Sequence, residues 1–201
     1  MQNSNLKINK KSKRVFILLG HPDTDSFNNE LADEYEAGAK GAGHEVRRMN
    51  IGEMDFDPVL REGYKSVQEL EPDLVTFQEN VRWCDHFVIF YPSWWSTMPA
   101  ILKGLFDRAW MPGFAFHFTS DFTWKKLMKG KSATMIVTSD TIPFIQSIIF
   151  GDTTNELKKG ILWFAGFKPI YVHKFGYLKH LGAWRKIFVR NKVRKYGMRA
   201  K

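Results

Sequence analysis

The sequence predicts an α/β fold: a doubly wound parallel sheet of five strands that forms the middle of three layers. Segments typical of strands and of helices alternate along the chain. The central strand-like run, residues 87–91, is apolar without alternation, as expected for a parallel strand that helices cover on both faces. The 201 residues are 44% hydrophobic and 15% aromatic, which suffices for one core.

Five strands and four helices are predicted in order. The strands are residues 14–20, 45–49, 87–91, 133–138 and 168–173. The helices run from Asn28 or Asn29 to Gly41 or Gly43, around residues 74–83, from Pro99 onward, and over residues 156–165. The second strand alternates in polarity, which is typical of a sheet edge. Pro99 suits a first helical turn, because the N–H groups there have no intrahelical acceptor. Residues 50–71 are expected to form a long excursion.

The turn after the first strand carries small polar groups at the start of a helix. Its candidate residues are His21, Thr24, Ser26, Phe27 and Asn28. Hydroxyls and free backbone N–H groups at a strand-to-helix turn are suited to a phosphate. The alternative is an ordinary N-cap at Ser26 or Asn28, which needs no ligand.

The turn after the third strand carries two adjacent tryptophans. Its candidate residues are Ser93, Trp94, Trp95 and Ser96. In an open α/β sheet, ligands bind at the carboxyl ends of the strands, so these indoles are placed to flank a flat ligand. The alternative is that they serve as packing or dimer-contact aromatics. A phosphate-like turn and an aromatic turn on neighbouring strands together suggest a phosphorylated flat cofactor such as a flavin nucleotide.

Three motifs resemble those of the flavodoxin-like NAD(P)H:quinone oxidoreductases. They are His21-Pro22 with Ser26-Phe27-Asn28, then Pro92 with Trp95, Pro99-Ala100-Ile101-Leu102-Lys103-Gly104 and Asp107-Arg108, then Pro112-Gly113-Phe114-Ala115-Phe116. That group includes animal quinone reductases, bacterial drug-modulator quinone reductases and ancillary subunits of potassium efflux systems. The resemblance covers about residues 14–176 and implies a flavodoxin-like fold.

The resemblance also implies the cofactor and how it is held. FAD is expected, with FMN as the alternative, and NADPH or NADH as electron donor. The first turn would hold the flavin phosphates, and backbone groups of residues 93–96 would bond the ring edge. Thr138, Ser139, Asp140 and Thr141 would complete the pyrimidine side of the ring. Trp95, Thr138 and Ser139 are the residues assigned a catalytic role.

A quinone is the expected acceptor, reduced by two electrons in ping-pong hydride transfer. The resemblance places Phe114, Phe116 and Phe118 in the substrate pocket of a partner copy, which implies a homodimer. The alternative is a local hydrophobic strap over the sheet. Phe150 stands where the animal enzymes carry a histidine, and is assigned to the same pocket. Asp140 also departs from the pattern, since a carboxylate beside the reduced ring opposes its negative charge unless it points away or caps the next helix.

The net charge of +9 is divided unevenly along the chain. Residues 15–156 hold all 21 acidic and only 12 of the 30 basic residues. Three segments are predicted: a basic N-terminal arm over residues 1–13, a flavodoxin-like flavin-binding domain over residues 14–178, and a basic extension over residues 179–201. The extension has apolar residues at helical spacing among its basic ones, so it could lie on an anionic membrane surface, contact a transporter or touch nucleic acid. Such a helix more often packs on its own domain with a solvated basic face. No nucleic-acid motif accompanies it.

The remaining features restrict the class of protein. No apolar run approaches the length that spans a membrane, and the chain is expected to be cytoplasmic. The single cysteine, Cys84, excludes an internal disulfide and a cysteine-rich metal site, and is expected to be a small buried hydrophobe. No metal is predicted. Besides an oxidoreductase, two functions stay open: a flavin-binding regulatory subunit of a membrane ion transporter, and a plain flavodoxin.

Overall fold

The computed structural model describes residues 12–201, except the side chain of Lys179. Lys7, Lys10 and Lys11 of the predicted N-terminal arm lie outside the described residues. The strands are β1 (Arg14–Leu19), β2 (Glu45–Asn50), β3 (His86–Pro92), β4 (Phe116–Ser120), β5 (Thr123–Lys126), β6 (Ser132–Thr138) and β7 (Ile170–Phe175). The helices are α1 (Phe27–Gly41), α2 (Pro72–Trp83), α3 (Ala100–Ala109), α4 (Pro143–Phe150) and α5 (Ala183–Arg199), with a π-helix at Glu156–Trp163 and 3₁₀ turns at Ile51–Glu53 and Leu178–His180.

Five parallel strands form the main sheet in the order β2-β1-β3-β6-β7. This confirms the predicted doubly wound sheet. The strands β4 and β5 pair antiparallel in a separate hairpin that the sequence pattern did not reveal. Helix α4 is also absent from the predicted elements, although Pro143 marks a helix start. Strand β7 begins two residues later than predicted, after Pro169, which has no N–H to donate to a ladder.

Two apolar clusters lie on opposite faces of the sheet. Successive side chains of a strand point to opposite faces, so Val15, Ile17 and Leu19 of β1 pack with α1 and α5. Phe16 and Leu18 pack on the other face with α2 and α3. The predicted three-layer arrangement is therefore confirmed. Strands β1 and β3 are buried because an apolar cluster covers each face of the sheet.

Helix α5 packs against α1. Val189 and Val193 are buried in this contact. A Cβ added at Gly38 of α1 would lie 2.1 Å from a backbone carbonyl oxygen of α5, so the two backbones approach closely. Ion pairs from Arg190 and Arg194 to acids of α1 border the contact. The basic C-terminal segment therefore forms a helix whose inner side packs on its own domain, as one of the predicted alternatives has it.

Arg108 of the third predicted helix has a structural role. Its buried guanidinium pairs with both carboxylate oxygens of Glu71, at 2.8 and 3.0 Å, and donates to the backbone carbonyls of Asp57 and Glu69. Such a two-pronged pair suits a planar guanidinium. The side chain therefore fastens the long excursion of residues 50–71 to α3.

Cys84 is fully buried, as predicted, and burial raises the pKa of its thiol to about 12. Within residues 12–201, none of the helices has the length and apolarity needed to cross a bilayer.

Candidate functional site

Three strand-to-helix turns meet at one cleft, at the carboxyl ends of β1, β3 and β6. The cleft has a volume of about 310 Å³. Its lining residues are His21, Ser26, Phe27, Asn28, Pro92, Ser93, Trp94, Thr138, Ser139, Asp140 and Leu178. Strands β1 and β3 are neighbours, but their following helices pack on opposite faces of the sheet. This is the switch point at which ligands bind in doubly wound folds.

Ser26 caps α1. Its hydroxyl oxygen accepts a hydrogen bond from the backbone N–H of Asn29 at 3.3 Å. The N–H groups of Phe27 and Asn28 belong to the first helical turn and have no intrahelical acceptor. Ser26 therefore satisfies one N–H group at the start of α1, while the N–H groups of Phe27 and Asn28 remain available beside the cleft and favour an anion there.

His21 borders the same end of the cleft. Its Nδ1 accepts a hydrogen bond from the backbone N–H of Asp23 at 3.0 Å, so the neutral ring carries its proton on Nε2. Burial lowers the pKa of His21. A neutral imidazole with an Nε2–H donor at this position can hydrogen-bond a phosphate oxygen.

Asn28 provides an unused acceptor inside the cleft. Its side-chain amide donates to the hydroxyl of Thr138 at 2.8 Å. Its Oδ1 is buried and finds no hydrogen-bond partner among the described residues. A buried acceptor without a donor costs free energy, so the position suits a ligand hydroxyl or N–H group.

The tryptophan turn is a tight two-residue hairpin. Trp94 and Thr97 exchange both backbone hydrogen bonds, at 2.9 and 3.0 Å. Trp95 and Ser96 occupy the two central positions with φ of 49° and 65°, which defines a type I′ turn. Positive φ is unusual for tryptophan and is strained, and such strain often accompanies a ligand site.

This turn separates the two tryptophans. Trp94 lines the cleft, with its ring centroid 5.5 Å from that of His21 in an edge-to-face arrangement. Trp95 is 99% exposed and lies outside the cleft lining. The backbone N–H groups of Ser93 and Trp94 are already bonded, to Thr138 and Thr97. The cleft wall is thus the ring of Trp94.

The turn after β6 forms the floor of the cleft. The Ser139 hydroxyl donates to the carbonyl of Thr141 at 2.7 Å, and its backbone N–H donates to Phe175 at 2.9 Å. Asp140 lines the cleft with an exposed side chain. The N-cap residue of α4 is Ile142, so Asp140 is not the N-cap of that helix.

Other predicted site residues lie elsewhere. Thr24, Ser96 and Thr141 are not part of the lining, and Phe150 is exposed on α4. Phe116 and Phe118 line a different pocket of about 540 Å³, together with Trp110, Ile161 and Phe164. Phe114 is buried and packs edge-to-face on Trp110 at 5.5 Å between ring centroids.

Two residues that sequence reasoning missed contribute to the site. Leu178 lines the cleft from the 3₁₀ turn after β7. Gln146 of α4 donates to the Ser93 hydroxyl at 3.0 Å and so fixes α4 beside the tryptophan turn. No local motif marks either residue, since both depend on contacts between distant segments.

The residues of the cleft fit a flavin nucleotide. The open α1 terminus and His21 suit a phosphate, the orphaned Asn28 Oδ1 suits a hydroxyl donor, and Trp94 offers a flat wall. Among residues 12–201, no group of three His, Cys, Asp or Glu side chains is arranged to hold a metal ion.

Comparisons with known proteins identify relatives of this chain. NAD(P)H dehydrogenase (quinone) 1 of Cavia porcellus is 28% identical over 184 residues, which cover 79% of this chain and 66% of that protein, slightly less than two thirds of its length. Ribosyldihydronicotinamide dehydrogenase (quinone) of Homo sapiens is 28% identical over 184 residues, which cover 79% of each chain.

A solved structure shares the fold over nearly the whole chain. The NAD(P)H:quinone oxidoreductase from Methanothermobacter marburgensis superposes with a TM-score of 0.79 at 23% identity, covering 95% of this chain and all of that one. The model of the family described as having a flavodoxin-like fold matches residues 13–185. The match spans most of the sequence and includes all three turns of the cleft, so the chain belongs to the flavodoxin-like fold family.

Proposed function

We propose that this protein is a flavin-dependent NAD(P)H:acceptor oxidoreductase that reduces quinones by two electrons. The observation that carries the proposal is the convergence of a phosphate-type turn, an aromatic turn and a hydroxyl-bearing turn on one cleft. The relatives named NAD(P)H dehydrogenase (quinone) 1 and ribosyldihydronicotinamide dehydrogenase (quinone) support the same activity.

The phosphate end of the flavin would lie at the start of α1. The backbone N–H groups of Phe27 and Asn28 and the Nε2–H of His21 would donate to phosphate oxygens, and Asn28 Oδ1 would accept from a sugar hydroxyl. Beyond Phe27, Lys186 Nζ lies 5.8 Å from its ring centroid. This cation suits a second phosphate, so we infer FAD, with FMN as the alternative.

The ring end of the flavin would lie between Trp94 and the turn of Thr138 and Ser139. A bound flavin would supply the redox chemistry, which is to accept a hydride from reduced nicotinamide and to deliver it to an acceptor. The protein would orient both substrates against the solvent-exposed side of the flavin ring, near Trp95. Because one pocket would serve both substrates in turn, we expect ping-pong kinetics.

The surroundings of the cleft favour an apolar acceptor. Helix α4 is fixed beside the cleft by the bond from Gln146 to Ser93. It exposes Phe144, Ile148 and Phe150 and carries no charge. Flat apolar acceptors such as quinones would bury this surface, which is favourable in proportion to the area removed from water.

We infer a homodimer as the active form. Phe116 and Phe118 line the pocket beside Trp110 rather than the cleft, and Phe118 is exposed. In a homodimer each copy would present these rings to the other copy's cleft. A mass measurement by light scattering tests this assembly, and a fully active monomer would overturn it.

The experiment is reconstitution with FAD and, separately, FMN, followed by absorbance spectroscopy and mass spectrometry of the released cofactor. Oxidation of NADPH and NADH is then followed with menadione, a nitroaromatic and an azo compound. We expect a flavin spectrum and robust turnover with menadione. Failure to retain either flavin would refute the proposal. A flavin that is bound but hardly reduced by either nicotinamide would instead favour a regulatory or carrier role.

A further inference from the structure

Helix α5 carries a second apolar stripe on the side that faces away from α1. Trp184, Ile187 and Phe188 are 85%, 48% and 67% exposed. Positions i, i+3 and i+4 lie on one face of a helix. Val189 and Val193, which pack on α1, lie on the opposite side at 3.6 residues per turn. Packing of the domain core therefore does not account for the outer stripe.

Basic side chains flank this stripe. Helix α5 contains Lys and Arg but no acidic residue. Arg190 and Arg194 pair with acids of α1. Among the described residues, Arg185, Lys192 and Lys195 form no ion pair with an acid, and all three are exposed. The 100° spacing of successive helical residues places Lys195 in line with the apolar stripe and Arg185 and Lys192 along one side of it, where Lys192 Nζ lies 5.9 Å from the Phe175 ring centroid. The outer face of α5 thus combines Trp, Ile and Phe with uncompensated positive charge.

We propose that this face is a docking surface for an anionic lipid bilayer. The docking surface consists of Trp184, Ile187 and Phe188 together with Arg185, Lys192 and Lys195. A helix that lies in a membrane interface carries apolar and aromatic residues on one side and Lys or Arg around them. Each basic residue near an anionic surface adds attraction that salt screens.

Charge favours lipid over a second copy of the chain at this face. A two-fold contact places the same patch on both subunits, so the basic flanks of α5 would meet each other. Like charges brought together in an interface are repelled. An anionic bilayer instead neutralises them while it buries the apolar stripe.

Docking would also bring the cleft close to the bilayer. Helix α5 begins shortly after the carboxyl end of β7, and Leu178 of the connecting segment lines the cleft. The Trp184 end of α5 therefore lies at the same sheet edge as the cleft. If the proposed redox function holds, which this consequence requires, lipid-soluble quinones are the acceptors within reach. The docking itself does not depend on that function.

The test is flotation of the full-length protein with vesicles of phosphatidylcholine alone, or of phosphatidylcholine mixed in equal parts with phosphatidylglycerol. We expect binding to the mixed vesicles only, and less binding as salt is raised. Lys192→Gln and Lys195→Gln should each lower the partition about fivefold. Trp184→Ser combined with Phe188→Ser should abolish binding.

Phe122→Ser is the matched control, because Phe122 is 91% exposed at the tip of the β4–β5 hairpin. It should bind like the parent protein. Equal binding to both vesicle types, or an equal loss in the control, would overturn the proposal. So would a fall in the molecular mass of the Trp184→Ser, Phe188→Ser protein, since that identifies a contact between copies. Vesicle binding is measured without substrates, so an inactive protein that binds would refute only the redox function.

Discussion

Asn28 donates its side-chain amide to the hydroxyl of Thr138 at 2.8 Å, and this bond joins the start of α1 to the carboxyl end of β6. Both residues are buried. Strand β3 lies between β1, which precedes Asn28, and β6, which ends at Thr138. The bond holds two walls of the cleft together across the intervening strand. It also fixes the Asn28 amide so that Oδ1 is the atom left for a ligand.

Thr138→Val should test this bond. Valine has nearly the shape of threonine but offers no oxygen, so the buried Asn28 N–H loses its acceptor. We expect the free energy of unfolding to fall by about 1–3 kcal/mol, and flavin to bind more weakly. Urea unfolding and flavin titration measure the two effects. Thr76→Val, at an exposed position of α2, is the control and should leave flavin binding unchanged.

Ser26→Asp separates helix capping from phosphate binding. Aspartate caps a helix about as well as serine, so the stability of the protein without cofactor should change little. Its negative charge lies where a phosphate would bind, so the Kd for FAD or FMN should rise by about tenfold or more. Riboflavin, which has no phosphate, should lose far less affinity. Equal losses for riboflavin and FMN would contradict a phosphate at this turn.

The two tryptophans of the turn should respond differently to substitution. Trp94 lines the cleft, so Trp94→Ala should weaken flavin retention. Trp95 is exposed, so Trp95→Ala should leave flavin content and fold intact while raising KM or lowering kcat for the acceptor. Flavin content and steady-state kinetics with several acceptors distinguish the two results. Unchanged kinetics of Trp95→Ala would remove that residue from the catalytic set.

Gly197→Ala should loosen the contact between α1 and α5. A Cβ at Gly197 would lie 2.1 Å from the backbone oxygen of Tyr35, so one helix must move. We expect a loss of about 1–3 kcal/mol in the free energy of unfolding, despite the better helix propensity of alanine. Gly160→Ala is the control and should be neutral or slightly stabilising, because no atom lies within 4 Å of its added Cβ apart from its chain neighbours and the backbone of its own helix. Thermal unfolding of both variants provides the comparison.

Asp85 should contribute a stability that depends on pH. The Arg14 side chain donates to its carboxylate at 2.8 Å and lowers the Asp85 pKa from 3.8 to about 2. A lowered folded-state pKa stabilises the protein above the unfolded pKa, and this stabilisation is lost as pH falls through about 2.

Asp85→Asn should therefore destabilise the protein at pH 7, by about 1 kcal/mol or less for an exposed pair, and by progressively less below about pH 4. Urea unfolding of both proteins across this pH range measures the difference. A difference that stays constant with pH would show that the carboxylate charge is not the cause.

Much of the fold could be predicted from particular residues. The unbroken apolar run of residues 87–91 indicated a central strand, and β3 is fully buried. Small polar residues around Ser26 indicated a helix start, and Ser26 is the N-cap. The lone Cys84 indicated a buried thiol, which the structure confirms. Each of these features depends on neighbours along the chain, so a local pattern suffices to find it.

Other features required the folded chain. Trp94 and Trp95 are adjacent in the sequence. The type I′ turn decides that Trp94 faces the cleft while Trp95 points to solvent. The resemblance assigned Phe116 and Phe118 to the substrate pocket, but within one copy of the chain both line a pocket other than the cleft. Leu178 and Gln146 reach the cleft from segments far along the sequence.

The sequence by itself determined the order of the five parallel strands and of four helices, the three polar or aromatic turns and the placement of basic residues at the chain ends. The tertiary structure alone decided which side chains share a cleft and which face of α5 stays exposed. The physical reason is that hydrophobic period reports whether a residue is buried, whereas the direction of a side chain depends on backbone angles and on contacts between strands and helices distant in sequence.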